Sequence, residues 1–307
     1  MSTFAPLPRL PLATWARRVQ ALDLRATELE VAVNEPFDAL DPINSRIRGI
    51  LGARLRDAWC LTGEESCEGC CELENCHYGR TFETPAEVAR GPSHGSHGVH
   101  PFWLSGIPTA SRLSAGSTFS AKLTLAGPDA DLLPSFEAAL ADAVLGLGPR
   151  RLRGRLLTLA SPRRSTPTIR EEAAPTLSIR SLTPLILRPP SPRAKDECPA
   201  APWLIELMRA GVRRLGSLSN AFTRVERAAA DLPELGRVEA IEGTFTPTRL
   251  VRHSQRQRAR VPLEGFEGQA RLAGPTLTEL WPLLSALEVI GVGKSTSMGF
   301  GSIAVRT

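Results

Sequence analysis

Apolar side chains recur along this chain in two rhythms: every second residue, as in a half-buried strand, and every three to four residues, as on one face of a helix. Residues 26–33 alternate cleanly, with Leu29, Val31 and Val33 on one side, and predict a strand. Residues 44–59 place Ile47, Ile50, Leu51, Leu55 and Ala58 at helical spacing, with Asn44 and Ser45 as candidate caps. Arg46, Arg48, Arg54 and Arg56 fill the other positions of that helix. A cysteine-rich excursion over 60–80 and a Gly/His/Pro loop to about residue 101 come next. Residues 117–126 alternate through Phe119, Ala121, Leu123 and Leu125, 130–146 read as a helix through Leu133, Phe136, Leu140 and Val144, and 151–160 as a basic strand.

From Ser161 to about Pro175, prolines, arginines and threonines dominate without periodicity, which predicts a linker. The order of elements then repeats. A strand near 177–187 precedes a proline-rich break, and a helix over 203–218 carries Leu204, Leu207, Met208, Val212 and Leu215. Strands near 237–246 and 259–272, a helix over 276–290 and a last strand over 300–306 complete the half. Strand–helix–strand–strand–helix–strand is the ferredoxin-like unit. The first half shows the unit less completely, with no convincing pair of central strands between residues 80 and 117.

No apolar run reaches the ~18 residues of a membrane span, and Met1 to Arg18 lack the apolar core of a signal peptide. The expected location is the cytoplasm, without a membrane partner. In that reducing setting the six cysteines predict thiols or metal ligands rather than disulfides. Net charge is +5 and the pI about 9.1, a moderate bias towards polyanions. Lysine occurs only at Lys122, Lys195 and Lys294; the other cations are arginine, whose planar fork suits phosphates and bases. Genomic composition bias produces the same preference, so the arginines leave both explanations open.

Near the end of the chain, residues 289–301 hold four glycines, one lysine and three hydroxyl side chains. Gly293-Lys294-Ser295 has the last three residues of the nucleotide-binding pattern G-x-x-x-x-G-K-[ST], but its first glycine falls on Glu288. A helix also precedes this loop and a strand follows it, the reverse of a phosphate-binding loop in an ATPase. An ATP site is excluded.

Several segments together resemble one family. Arg252-His253-Ser254-Gln255-Arg256-Gln257, then Pro262-Leu263-Glu264-Gly265-Phe266-Glu267-Gly268, then the loop 291–301 are similar to the repeat-RNA-processing endoribonucleases of CRISPR systems, in the RAMP superfamily. Arg48-Gly49-Ile50-Leu51-Gly52 resembles that family's first helix, Phe82-Glu83-Thr84-Pro85 its post-cysteine segment, and Gly146-Leu147-Gly148 its mid-chain glycine turn. The resemblance implies an α+β chain of two tandem ferredoxin-like (βαββαβ, RRM-like) domains. The expected layout is 1–160 with a Cys-rich, helical insertion at 60–101, a linker at 161–175, and 176–307 carrying the glycine-rich loop. It further implies metal-independent cleavage of CRISPR precursor RNA at repeat hairpins and retention of the mature crRNA within an effector complex of other CRISPR subunits. A catalytically inactive crRNA-binding subunit of such a complex is the alternative. Arg252, Arg256 and Arg258, with Gly291, Gly293, Lys294, Ser295, Thr296, Ser297, Gly299 and Gly301, become the expected RNA contacts.

Cleavage of this kind uses the ribose 2′-OH as nucleophile and leaves a 2′,3′-cyclic phosphate. It needs a base, an acid and cations for the growing phosphorane charge. Similar enzymes often carry a histidine just after the first strand; residues 34–58 contain none. Arg46 and Arg48 are the first substitutes, read otherwise as ordinary exposed arginines. His253 is the second, read otherwise as a surface histidine, and the trio His94, His97 and His100 is the third, read otherwise as part of a mobile loop. The expected catalytic set is Arg46, Arg48 and His253. The missing histidine and the arginine richness lean towards the type IV variety of the family. Cys60, Cys67, Cys70 and Cys76 have a C-x₂-C core that can hold a structural zinc, against free thiols; no cofactor is expected for catalysis.

Overall fold

The protein is described by a computed structural model over residues 9–10, 14, 17–18, 20–38, 42–85, 99–147, 157–167, 170, 174–189, 201–223, 229–230, 239–254, 259–274 and 277–307. The first half forms β1 (Leu24–Val33), α1 (Ile43–Trp59), β2 (Phe102–Ser105), β3 (Thr118–Ala126), α2 (Leu133–Leu145) and β4 (Leu157–Leu159). Its sheet runs β2-β3-β1-β4 with every neighbour antiparallel. The second half forms β6 (Thr176–Ser181), α3 (Ala201–Phe222), β7 (Glu239–Ser254), β8 (Ala259–Ala273), α4 (Leu277–Ile290) and β9 (Ile303–Arg306). Its order, β7-β8-β6-β9, is again fully antiparallel. In both halves the first and third strands lie side by side at the centre, so the chain is a tandem of ferredoxin-like domains.

The strand not found between residues 80 and 117 is β2. Alternation cannot reveal it because both its faces are covered: Phe102 and Leu104 enter the first core, while Trp103 enters the second. The cap of α1 also differs from expectation. Pro42 occupies it without a side-chain bond, and Asn44 Oδ1, inside the first turn, accepts from the N–H of Ser45 at 2.9 Å.

The segment expected as linker is structured where it is described. Arg163–Ser165, β5, pairs with β1 at Ala26–Glu28 as an extra antiparallel strand. Arg170 then ties this stretch to the second domain. It donates to Glu288 at 2.6 Å and to the Val305 carbonyl at 2.7 Å, and its guanidinium lies over the Trp281 ring. Glu288, the residue that breaks the nucleotide-binding pattern, also accepts from Arg306 at 2.9 Å and from the Val305 N–H at 3.0 Å. Its carboxylate joins α4 to β9.

The two domains share a core. Leu22, Leu24, Trp103 and Ala126 of the first pack in one cluster with the apolar faces of α3 and α4. The Trp103 indole N–H donates to the Val289 carbonyl at 2.9 Å. Arg214 of α3 lies over the same ring and donates to the Ile290 carbonyl at 2.7 Å. Burial pushes its guanidinium down to about 9, still cationic at neutral pH.

Candidate functional site

A polar cluster rimmed by aromatic rings forms where α1, the cysteine-rich insertion and the β7–β8 hairpin meet. Its floor is a stack: Tyr78 on Phe82 at 5.4 Å, Phe82 on Phe102 at 5.3 Å, and His100 at 5.7 Å from Phe102. The Arg48 guanidinium sits over Phe82, 4.3 Å from the ring centroid. The Tyr78 hydroxyl donates to Glu83 at 3.0 Å. The backbone carrying these residues is unusual. Gly79–Glu83 is a π-helix and Thr84 follows in the left-handed region at φ 43°, both conformations that cost energy and recur at functional sites.

The cluster feels a charge from the second domain. Burial pushes the Arg48 guanidinium down, the neighbouring Glu83 and Tyr78 oppose that, and the charge of Arg252 on β7 adds to it. Burial lowers Arg252 in the same way, while burial and Glu83 push the Tyr78 phenol up. The Nε atoms of Arg48 and Arg252 are both buried with no hydrogen-bond partner among the described residues. Two like charges from different domains, each with an unused donor, make a place suited to an anion.

The other expected residues are distributed as follows. Arg46 stands over the Phe37 ring at 5.6 Å; two positions along a helix turn a side chain by roughly 200°, so Arg46 and Arg48 do not face one target. The backbone of His253 pairs with Arg260 in the β7–β8 hairpin. The side chain of His253, all of Arg256 and Arg258, and His94 and His97 lie outside the described residues.

The glycine-rich loop crosses to the first domain, where Gly299 lies against Asn44 and Leu104. Its glycines serve its own packing first. A Cβ on Gly301, at φ 77°, would stand 2.0 Å from the Val292 carbonyl oxygen. The N–H of Val292 donates to Gly301, that of Lys294 to Ile186 and that of Gly301 to Pro184. Gly291, Gly299, Gly301, Thr296 and Ser297 are buried, Gly293 and Ser295 half-buried, and Lys294 exposed. Ser295 joins Thr84 as a non-glycine residue at positive φ, 61°. Lys294 is therefore the side chain of this loop that a solvent-borne ligand meets first.

The cysteines gather without forming a metal cage. Cys60 Sγ accepts from the Gly63 N–H at 3.2 Å, Cys76 Sγ donates to the Trp59 carbonyl at 3.5 Å, and Cys70 Sγ lies 3.5 Å from the Thr62 hydroxyl. Burial, Glu83 and the neighbouring Cys76 and Cys60 push the Cys67 thiol up to about 11. Among the described residues no group of three or more His, Cys, Asp or Glu is placed to hold a metal ion. The sulfurs of Cys60, Cys70 and Cys76 each have a local polar neighbour.

Tyr78, Glu83 and Thr84 had not been singled out as site residues. The signal for Glu83 and Thr84 was present in Phe82-Glu83-Thr84-Pro85, a segment that stood out only by resemblance.

Comparison with known proteins agrees with this fold. A family model described as an N-terminal domain matches residues 22–182, more than half of the chain. The model of the CRISPR-associated endoribonuclease Cas6 matches residues 179–303. Among solved structures, a product complex of Cas6 is 17% identical with a TM-score of 0.50, covering 92% of this chain and 99% of that one. Cas6 of Thermus thermophilus is 16% identical at 0.45, covering 92% and 98%. A Cas6-related protein of Pyrococcus furiosus is 14% identical at 0.45, also covering 92% and 98%. No curated protein sequence matches significantly. Among the described residues no helix is long and apolar enough to cross a membrane. The two family models together run from residue 22 to residue 303, and over residues 179–303 the chain is similar to the CRISPR-associated endoribonuclease Cas6.

Proposed function

We propose that this protein cuts CRISPR precursor RNA at its repeat hairpins without a metal ion, leaves a 2′,3′-cyclic phosphate, and stays on the mature crRNA as a subunit of an effector complex. The observation that carries the reading is the meeting of Arg48 and Arg252, one from each domain, with buried Nε donors that no described group satisfies. RNA laid across the domain boundary brings a phosphate between them.

In the cleavage step the 2′-oxygen loses its proton and bonds to phosphorus, the P–O5′ bond breaks, and the departing 5′-oxygen takes a proton. Negative charge grows on the non-bridging oxygens meanwhile. Arg48 and Arg252 donate to those oxygens and hold that charge, a contribution of about 10²- to 10³-fold for one preorganised donor. Lys294, exposed on the glycine-rich loop, binds backbone phosphate away from the cut.

The test is incubation of the purified protein with repeat RNA in excess EDTA. A discrete cut whose 5′ fragment ends in a cyclic phosphate supports the reading. Tight binding with intact RNA contradicts it in favour of a silent crRNA-binding subunit, and cleavage that stops with EDTA contradicts metal independence.

A further inference from the structure

Two arginines stabilise charge but are poor bases, because a guanidinium stays protonated near neutral pH. A proton acceptor for the 2′-OH must come from elsewhere, and α1 holds no histidine. His77 is exposed, with Nδ1 3.0 Å from Arg80. His100 is placed differently. It is half-buried just before β2 and lies against Phe102, whose other neighbour in the stack, Phe82, carries Arg48 over its ring.

Its ring is also held. His100 Nδ1 is 2.7 Å from the hydroxyl of Thr84, a residue only 3% exposed and at positive φ. A non-glycine residue in that conformation is strained. Here it aims a hydroxyl at an imidazole. A fixed partner on one ring nitrogen sets the tautomer and orients the other for proton transfer. Among the described residues, Arg48, Glu83 and Tyr78 are charged or titratable groups at the same stack.

We infer that His100 is the general base of the reaction and Thr84 its positioning residue, so the base comes from the end of the insertion and not from the first helix. This rests on the reading of the protein as a nuclease. In the step, the 2′-OH proton passes to His100 Nε2 as the 2′-oxygen bonds to phosphorus. The P–O5′ bond breaks, and the 5′-oxygen takes a proton from water.

Single-turnover cleavage of repeat RNA across pH 5–9 tests this on wild type, His100→Ala, His100→Gln, Thr84→Val and Thr84→Ser, with RNA affinity measured alongside to show each variant folded. The wild-type rate is expected to rise with pH as the imidazole loses its proton. Both His100 variants should lose about 10²- to 10⁴-fold in rate and that rising limb, with affinity kept. Thr84→Val should slow cleavage and shift the limb, and Thr84→Ser should restore both. A folded His100→Gln that cuts within threefold of wild type overturns the inference, as does a slower variant with an unchanged pH profile. Intact RNA with the wild type itself contradicts the nuclease reading instead.

Discussion

Removing the Trp103 side chain should separate the domains energetically without touching the arginine cluster. The indole is 2% exposed, belongs to the core of the second domain, and donates to the Val289 carbonyl at 2.9 Å. Truncating a buried aromatic to alanine costs about 3–5 kcal/mol. The carbonyl left behind and the uncovered face of Arg214, which lies over the ring, act in the same direction. About 4 kcal/mol is the expected loss for Trp103→Ala, and about 1 kcal/mol for Trp103→Phe, which keeps the ring and loses the bond. At ~2–3 °C per kcal/mol the alanine variant should melt about 8–12 °C lower. Thermal denaturation followed by circular dichroism reads this directly, with Leu61→Ala, at a 61% exposed site, as the control that should not move. RNA affinity should fall too, because the two halves of the interface lose their fixed spacing. Melting of Trp103→Ala within 2 °C of wild type would refute a shared core.

Three further outcomes are expected. Arg48→Ala should slow single-turnover cleavage by about 10²- to 10³-fold with little loss of affinity, while Arg46→Ala, over Phe37 and turned away, should stay within a few-fold; equal effects would sink the distinction. Lys294→Ala should weaken RNA binding and reduce the slope of log affinity against log salt by about 0.7–0.9, the release of one counterion, and an unchanged slope would remove the loop from the backbone path. For the Cys60 thiol, burial acts upward, but bonds from Gly63, Thr62 and Arg56 outweigh it and bring it below the ordinary value, whereas Cys67 is pushed up to about 11. Thiolate is the reactive form, so iodoacetamide at pH 7.5 should modify Cys60 at least about tenfold faster than Cys67, as peptide mapping would report.

How legible each feature was follows from its surroundings. The second domain could be read from its long alternating strands and its amphipathic helices, because each has one wet face. β2 could not, because Phe102 and Trp103 are buried on opposite faces and no alternation survives. The glycine-rich loop was visible as composition, but the glycines could equally admit a ligand or the protein's own backbone. At Gly301 the neighbour is the Val292 carbonyl. Arg46 and Arg48 are chemically identical in sequence and differ only in direction, which the helix decides. Arg252 was visible as one of a basic run, yet its pairing with Arg48 joins residues about two hundred positions apart, set by the docking of two domains. The cysteine spacing suited zinc; the contacts of Cys60, Cys70 and Cys76 with Gly63, Thr62 and Trp59 depend on the folded path of the insertion and are not visible in the spacing.

That Arg48 and Arg252 act on one phosphate from opposite domains is the claim on which the rest depends. A double-mutant cycle of single-turnover cleavage rates, with Arg48→Ala, Arg252→Ala and the pair together, measures it most directly. If both guanidiniums hold the same phosphorane, the double variant should lose markedly less than the product of the two single losses. A strictly multiplicative loss, or an Arg252→Ala variant that cuts at the wild-type rate, would contradict a shared phosphate.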